Sequence, residues 1–502
     1  MSTSSSGPGV YSDFDSSLAA GVVPQAAGAR SAIASPSVKV KVSYGLGALT
    51  ESIKSFSIGL FLLFFYTTVL GLPGTWLGVA TALGLIWDST IDPIIGHLSD
   101  RSRARVGRRH GFMLIGALCT GASFVAVFSP PAGLSSVALF SWLLLASLFL
   151  RTTQSIFMVP YYALGAELTQ DYEERTSVSA YRAASALVGT LVAAGVAYAV
   201  FSRGDAAAQE AARFDAGEYG TMAVVLGSVM TIAGLVATAG TWRYRKSGTR
   251  DGAVSTPRQA PSSANISFRT ELISSLRDES FRALVLSASL FFLASVVNAS
   301  LALHYLTYYA GIPGNGAFSL FQLAFGAGAL LGVQIWVRVA RHVEKRRLYF
   351  FATLATASLM VAAYVFVGEG RALGTGNLLA LQCGNALAGM FASALWVLAP
   401  SMLADVAGLD SVKSGRRREG MFFGLYSQGQ QMAAGVAILI AGTLVDVFAG
   451  LVPGQVYQSP MTIERIGLLY AGLPAALLVV AALVILKYNI TARSVASAPS
   501  GW

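Results

Sequence analysis

Apolar runs of about 20 residues, the length that crosses the hydrocarbon core of a bilayer, recur along nearly the whole of this chain. In that solvent every backbone N–H and C=O must find a partner within its own segment, so each run is read as a helix. Breaking the sequence at its charged clusters predicts twelve spans. Six lie near 44–70, 76–98, 112–129, 134–164, 179–201 and 222–242; six more lie near 283–309, 318–337, 349–367, 377–403, 421–444 and 466–486. Of the 502 residues, 54% are hydrophobic and only 12% charged, about half the charge of a typical soluble chain. The fold class is therefore an all-α, multi-pass membrane protein with twelve transmembrane helices. Cys119 and Cys383 both sit inside apolar runs, which leaves neither a disulfide framework nor a cysteine metal cluster. No phosphate loop, zinc signature or hydrolase elbow occurs, so an enzyme and a cofactor are not expected.

The formal charge is +10, from 35 Lys and Arg against 25 Asp and Glu. Nucleic acid is not the implied partner, because the basic residues occupy short loops between apolar runs. Arg101, Arg103, Arg105, Arg108 and Arg109 fall between spans two and three, and Arg341, Lys345, Arg346 and Arg347 between eight and nine. Arg243, Arg245, Lys246 and Arg250 fall in the central connection, and Lys413, Arg416, Arg417 and Arg418 between ten and eleven. Loops of the other parity hold only scattered residues such as Arg203, Arg213 and Arg371. Both termini are expected to be cytoplasmic, with the chain in the cell membrane.

The halves repeat weakly. Thr67-Thr68-Val69-Leu70-Gly71-Leu72-Pro73-Gly74 echoes Thr307-Tyr308-Tyr309-Ala310-Gly311-Ile312-Pro313-Gly314, an offset of 240 residues, as in transporters built from parallel repeats. The expected organisation is a disordered N-tail (1–41), a six-helix bundle (42–242), a cytoplasmic linker (243–280), a second six-helix bundle (281–487) and a C-tail (488–502). Within the linker, residues 247–267 are Pro/Ser-rich, and 268–276 read as a short surface helix or a solvated tether.

A charge inside a span costs at least ~2.5–3.5 kcal/mol on insertion scales, so each intramembrane ionisable group is a functional candidate. Asp88 and Asp92 lie four apart, which puts both carboxylates on one helix face about one turn apart. Two such anions repel unless a proton or cation lies between them. A monovalent-cation site is one reading; helix-end residues paired with loop arginines is the other. Pro93 follows and donates no backbone hydrogen bond. Span four carries Arg151, Gln154, Ser155, Met158 and Pro160, and Arg151 either pairs with an interior carboxylate or snorkels to the interface. Arg182 opens span five. Glu51 and Lys54, at i and i+3, are placed to neutralise each other. His304, among Tyr305, Tyr308 and Tyr309, reads as a hydrogen-bonded core residue more readily than as a proton relay.

Four segments together resemble the glycoside–pentoside–hexuronide:cation symporters, the melibiose-carrier branch of the major facilitator superfamily. They are Tyr44-Gly45-Leu46-Gly47-Ala48; Trp87-Asp88 through Asp92-Pro93 with Gly96, Ser99, Asp100, Arg101, Gly107 and Arg108; Val159-Pro160-Tyr161-Tyr162-Ala163-Leu164 with Glu167, Asp171, Glu174 and Arg175; and Met402-Leu403-Ala404-Asp405 leading to Gly415, Arg417, Arg418, Glu419 and Gly420. The resemblance implies the major facilitator fold, two pseudo-repeated bundles working by alternating access. It implies that Asp88, Asp92 and Ser155 hold the coupling ion, Na⁺ or H⁺, and that Arg182, Tyr162 and Trp396 face a sugar. It also has departures. Ser52, next to Glu51, stands where the family has a sugar-binding carboxylate in span one; Met158 stands for the one in span four; Gln431 stands for a lysine in span eleven. The expected function is thus cation-coupled symport of a sugar or glycoside by a monomer, with a lysophospholipid or other amphiphile as the alternative and a non-transporting scaffold behind both. Asp100, Arg101, Arg108, Arg417 and Glu419 lie where ion pairs would close a cytoplasmic gate. The orientation has a direct check: a cysteine at Arg105 should react with an impermeant thiol reagent only from the cytoplasmic side, and labelling in intact cells would reverse the topology.

Overall fold

A computed structural model describes residues 36–102, 107, 109–169, 172–246, 275–312, 315–414 and 419–491. In chain order the helices are α1 (Val38–Leu46), α2 (Ala48–Phe64), α3 (Gly74–Arg101), α4 (His110–Phe128), α5 (Ser136–Glu167), α6 (Tyr172–Phe201), α7 (Ala206–Arg213) and α8 (Ala216–Gly240). After the central connection come α9 (Glu279–His304), α10 (Asn315–Val339), α11 (Lys345–Phe366), α12 (Leu378–Ser414), α13 (Glu419–Leu444) and α14 (Pro460–Ile485). Among the described residues, 11 helical spans are long and apolar enough to cross a membrane, α1 and α2 counting as one. The expected span outside that set is α3. At 28 residues it has ample length, but it falls short on apolarity because it carries Asp88, Asp92, His97, Asp100 and Arg101. The helix least at home in lipid is the one bearing the paired carboxylates.

Helix ends agree with the expected spans to within about seven residues, apart from one longer extension, and several helices begin earlier than their apolar runs. The tenth span, expected to end near residue 403, continues as α12 to Ser414, because helical geometry persists after the apolar run gives way to Asp405, Asp410 and Lys413. At the other end, α1 begins at Val38, inside the stretch expected to be tail, and Lys41 is tied to Glu174 at 2.6 Å. Tyr488 is likewise packed rather than loose, its hydroxyl donating to the Met402 carbonyl at 3.1 Å. The Pro/Ser-rich stretch and most of residues 268–276 lie outside the described residues.

The six long helices on either side of the central connection pack chiefly among themselves. In the first set α4 packs on α5 and α8, α3 on α5, and α2 on α6; in the second α10 packs on α12, α9 on α13 and α14, and α11 on α12 and α14. Across the molecule α3 meets α13, α6 meets α10, and α2 meets α9. As second and fifth long helices of their sets, α3 corresponds to α10 and α6 to α13. The first two crossings are therefore one contact seen from both halves.

The weak sequence repeat is a strong geometric one. Both α2 and α9 end in a widened π turn, Phe65–Val69 and Tyr305–Tyr309. Each then turns on a left-handed glycine, Gly71 at φ 74° and Gly311 at φ 61°, a conformation that costs glycine little. At the arginine-rich end, Arg109 pairs with Glu167 at 2.7 Å and Lys345 with Asp405 at 2.5 Å, at nearly the same offset along the chain.

Described hydrogen bonds between the halves cluster at the end opposite the arginine-rich loops. Asp446 accepts from the Gly74 and Thr75 backbone N–H groups at 2.9 and 2.7 Å and from the Thr75 hydroxyl at 2.8 Å. It thereby caps the N-terminus of α3 from the other half, where a carboxylate is favoured by unpaired donors and the helix dipole. Arg213 donates to the Thr307 hydroxyl (3.0 Å) and the Ile312 carbonyl (2.9 Å). Gly454 N–H donates to the Thr67 carbonyl at 3.0 Å. A Cβ on Gly74 would sit 2.6 Å from the Gly442 carbonyl oxygen, so the α3–α13 crossing depends on backbone-to-backbone contact. A continuous core containing Phe61, Phe64, Tyr305 and Phe318 fills the space behind this seam. The described ion pairs of the arginine-rich end, Lys41–Glu174, Arg109–Glu167, Lys345–Asp405 and Arg347–Glu344, each stay within one half.

Asp446→Ala removes the carboxylate that accepts three of these bonds. Loss of such a cap costs about 1–2 kcal/mol, a roughly 5–30-fold shift toward the state open at this end. Spin labels at the exposed Glu210 and Glu369 should report a grown long-distance population; an unchanged distribution would make the cap incidental.

Candidate functional site

The centre of the N-terminal half is a polar ladder between α3 and α5. These helices run parallel with a constant register. Arg151 Nη1 donates to Asp88 Oδ2, and one turn further Ser155 Oγ donates to Asp92 Oδ1 at 2.5 Å. Another turn on, Gly96 faces the Val159 side chain. Trp87 Nε1 donates to Thr152 Oγ1 at 2.8 Å and pins the same seam. Gly84, one turn before Asp88, opens the notch in which Arg151 lies, since a Cβ there would come within 2.4 Å of Arg151 Nε. The two carboxylates thus share a face, as the sequence spacing implies, but Asp88 is bound by an arginine of the membrane interior rather than by a loop arginine. Arg151 does not snorkel.

Beside the ladder, α2 contributes a second cluster. Lys54 Nζ donates to Glu51 Oε2 at 3.0 Å, the Ser55 hydroxyl to Glu51 Oε1 at 3.0 Å, and Gln154 Nε2 to Glu51 Oε2 at 2.9 Å. Gln154 and Ser155 are neighbours on α5, which links the two clusters. Glu51 is the hub. Ser52 hydrogen-bonds to the carbonyls of Ala48 and Leu49 in its own helix and packs where Gly189 leaves room. Met158 is buried, its sulfur 3.6 Å from the Thr50 hydroxyl.

The other candidates occupy different walls. The Arg182 guanidinium lies over the Tyr162 ring, 5.2 Å from its centroid, within cation–π range. Gln431 reaches Ser427 at 3.5 Å and is otherwise exposed. Trp396 is half-exposed on α12 and lines a cavity of about 430 Å³ between α9, α10, α11 and α12. Phe291, Phe325 and Met360 make that cavity mainly apolar, and Asn298, Gln322 and Asn385 add a few polar groups. From the N-terminal half it is reached by Ser55 and Gly59. Asp88, Asp92, Arg182 and Tyr162 do not line it. His304 is fully buried, its Nε2 3.1 Å from Thr67 Oγ1 and 3.3 Å from Thr68 Oγ1. It bridges the halves as a core residue.

Of the expected gate residues, Arg108 and Arg417 lie outside the described residues, as do the side chains of Asp100 and Glu419; Arg101 is exposed at the end of α3. Sequence reasoning missed Asp446, Arg213 and the hub role of Glu51. The first two were visible only as isolated charges beside apolar runs, with nothing in the sequence to indicate partners in the opposite half.

Two helical bundles joined across paired crossings, with buried charge on one wall of a central opening and an aromatic-lined cavity on the other, define a major facilitator transporter. The sequence profile of the MFS/sugar transport protein family matches residues 43–492, and the chain belongs to that family. An uncharacterized symporter of Synechocystis sp. is 24% identical over 90% of this chain and 94% of its own length. An inner membrane symporter of Escherichia coli is 31% identical over 31% of this chain and 34% of that one. A sodium-dependent lysophosphatidylcholine symporter of Xenopus tropicalis is 26% identical over 31% and 30%. Among solved structures, a D-xylose–proton symporter superposes with a TM-score of 0.59 at 16% identity, covering 90% of this chain and 98% of that one. A bacterial homologue of the human lysosomal transporter Spinster, inward-facing and occupied, gives 0.62 at 14% identity over 89% and 95%. The protein is a multi-pass membrane symporter of the glycoside–pentoside–hexuronide type, as its motifs imply.

Lys54→Met strips Glu51 of its countercharge. Glu51 is 38% exposed at its side chain and Lys54 20%, so the cost falls between a surface and a buried pair, about 1–2 kcal/mol. Thermal unfolding in detergent should show a lowered Tm, partly restored by adding Glu51→Gln. A double variant no better than the single one would argue against the pairing.

Proposed function

We propose that the protein carries a glycoside across the cell membrane together with a monovalent cation, acting as a monomer by alternating access. The observation that carries this reading is the junction at Ser55. Its hydroxyl donates to Glu51 Oε1, and the same residue lines the cavity that Trp396 enters from the other half. A solute there meets the Ser55 hydroxyl, itself tied to Glu51, on one side and an indole face on the other. Sugars want that pairing: hydroxyls need hydrogen bonds once water is removed, and a ring's C–H face packs on an aromatic surface. Arg182 and Tyr162 would extend the polar wall. Asp92 with Ser155 is the part of the α3–α5 ladder left for a coupling cation, since Asp88 is held by Arg151.

The closed contacts opposite the arginine-rich end support an inward-open resting state, given the orientation read from the loops. Asp100, Arg101 and Arg108 with Arg417 and Glu419 would then form the gate that closes when the carrier turns outward.

A second reading is favoured by one observation. The cavity beside Trp396 is mainly apolar and runs into the C-terminal half, and Met158 replaces an acceptor on the polar wall. An amphiphile such as a lysophospholipid would place its chain there. The two readings separate in proteoliposomes loaded with a panel of glycosides and lysolipids. Under the glycoside reading, Trp396→Ala should raise KM for the carried sugar roughly 5–30-fold, the loss of about 1–2 kcal/mol of aromatic packing. Asp92→Asn should leave solute binding weakened but present and without its cation dependence, since coupling between two ligands is reciprocal. Uptake of lysolipids and of no glycoside would replace the first reading with the second.

A further inference from the structure

We infer that the Arg151 guanidinium is a tethered cation standing where a sodium ion would bridge Asp88 and Asp92, so that this carrier does not bind sodium at the α3–α5 ladder. The inference rests on the reading of that ladder as the coupling-ion site and narrows which ion it accepts.

The first support is direct contact. Arg151 donates to Asp88 Oδ2 within the membrane interior, and both side chains are largely shielded, 22% and 28% exposed. The second is the notch at Gly84. A Cβ there would lie 2.4 Å from Arg151 Nε and 3.0 Å from its Cδ and Cζ, so the side chain lies flat along α3 from Gly84 to Asp88. A snorkelling arginine would instead extend along its own helix toward an interface. The third is register. Ser155 occupies on Asp92 the place that Arg151 occupies on Asp88, one turn away. A positive group and a hydroxyl thus face the two carboxylates in turn.

Charge counting gives the consequence. Lys54 and Glu51 cancel each other. Arg151 cancels Asp88, which leaves a single negative charge at Asp92. A hard alkali cation needs several oxygens free to converge on it. Here one Asp88 oxygen is committed to Arg151, and Asp92 Oδ1 already accepts from Ser155. Among the described residues no group of three or more His, Cys, Asp and Glu converges elsewhere. A sodium ion seated between the carboxylates would either face a fixed positive charge at close range or displace Arg151, leaving a guanidinium unpaired in a water-poor region. Both are strongly unfavourable. The donor set does not fit sodium while Arg151 is in place.

The test uses the full-length purified carrier and sodium alone as the probe. Tm is compared in sodium chloride and in choline chloride of equal concentration, with the fluorescence of Trp87 followed in parallel as a reporter of the seam. The parent should show the same Tm and the same emission in both salts. Arg151→Gln, which frees both carboxylates, should gain a sodium-specific rise in Tm and a sodium-dependent change in emission that Trp87→Phe abolishes. Arg151→Lys keeps the positive charge and should stay insensitive, which holds the test open if the glutamine variant folds poorly. A sodium-specific shift in the parent overturns the inference. So does a folded Arg151→Gln that remains indifferent to sodium. Uptake in liposomes is scored separately: failure to carry any glycoside removes the substrate assignment and leaves the melting comparison intact, whereas uptake at equal rates in sodium and choline supports both.

Discussion

The α3–α5 ladder places four polar groups, two of them carboxylates, between two helices in the interior of the N-terminal bundle, largely shielded from solvent. Each group there must be satisfied by another side chain, and the satisfaction is register-dependent. Arg151 meets Asp88 and Ser155 meets Asp92 only while the two helices keep their parallel alignment. Sliding one helix by a residue would rotate these side chains off the shared face and strand several charges at once. The ladder therefore fixes α5 against α3, and through α3 it fixes the crossing with α13 on which the closed end of the molecule depends.

That crossing shows how little material separates the two halves. Gly74 and Gly442 approach through their backbones, Gly71 lies against Gly454, and Asp446 caps α3 from across the gap. Contacts of this kind can be made or broken as a rigid-body rocking without repacking either bundle, because they consist of backbone surfaces and one exchangeable cap rather than interlocked large side chains. Beside this crossing the halves also meet through larger side chains, Phe61 on Phe318 and Phe64 on His304. Alternating access needs inter-half contacts that can part, and the backbone contacts of the α3–α13 crossing are of that kind.

Much of this architecture can be read from the residues in order. The all-helical, multi-pass class, the rough placement of the helices and the two-fold repeat follow from apolar runs and from the echo around Gly71 and Gly311, and the structure turns that faint echo into matching π turns and matching ion pairs. The site is legible only in part, for a physical reason. Spacing within one helix reveals which residues share a face, so Asp88 with Asp92 and Glu51 with Lys54 could be paired by counting. Spacing says nothing about the register between helices, and that register is what gives Asp88 its arginine and Glu51 its glutamine. The cavity beside Trp396 is harder still, since it is a space left by small and aromatic residues from six helices, none unusual in its own segment. The extension of α12 past its apolar run has the opposite lesson: hydropathy marks where lipid ends, and a helix is free to continue into water.

The two walls of the opening are built for different chemistry, and this asymmetry bears on how binding and movement are linked. The N-terminal wall carries the charge, Arg151 on Asp88 in the ladder and Lys54, Ser55 and the α5 residue Gln154 on Glu51 beside it. The C-terminal wall is mostly aromatic and aliphatic, with Trp396 at its mouth. A solute hydrogen-bonded to Ser55 would touch a group tied through Glu51 to Gln154, the residue next to the Ser155 that holds Asp92, so α5 would connect the solute to the carboxylate. The apolar wall cannot relay charge in this way, but it is indifferent to protonation and ion occupancy, and offers the same surface throughout the cycle. Coupling would then reside in one half and general affinity in the other, and the solute, bridging both, would be the element that draws the halves together when the carrier closes over it.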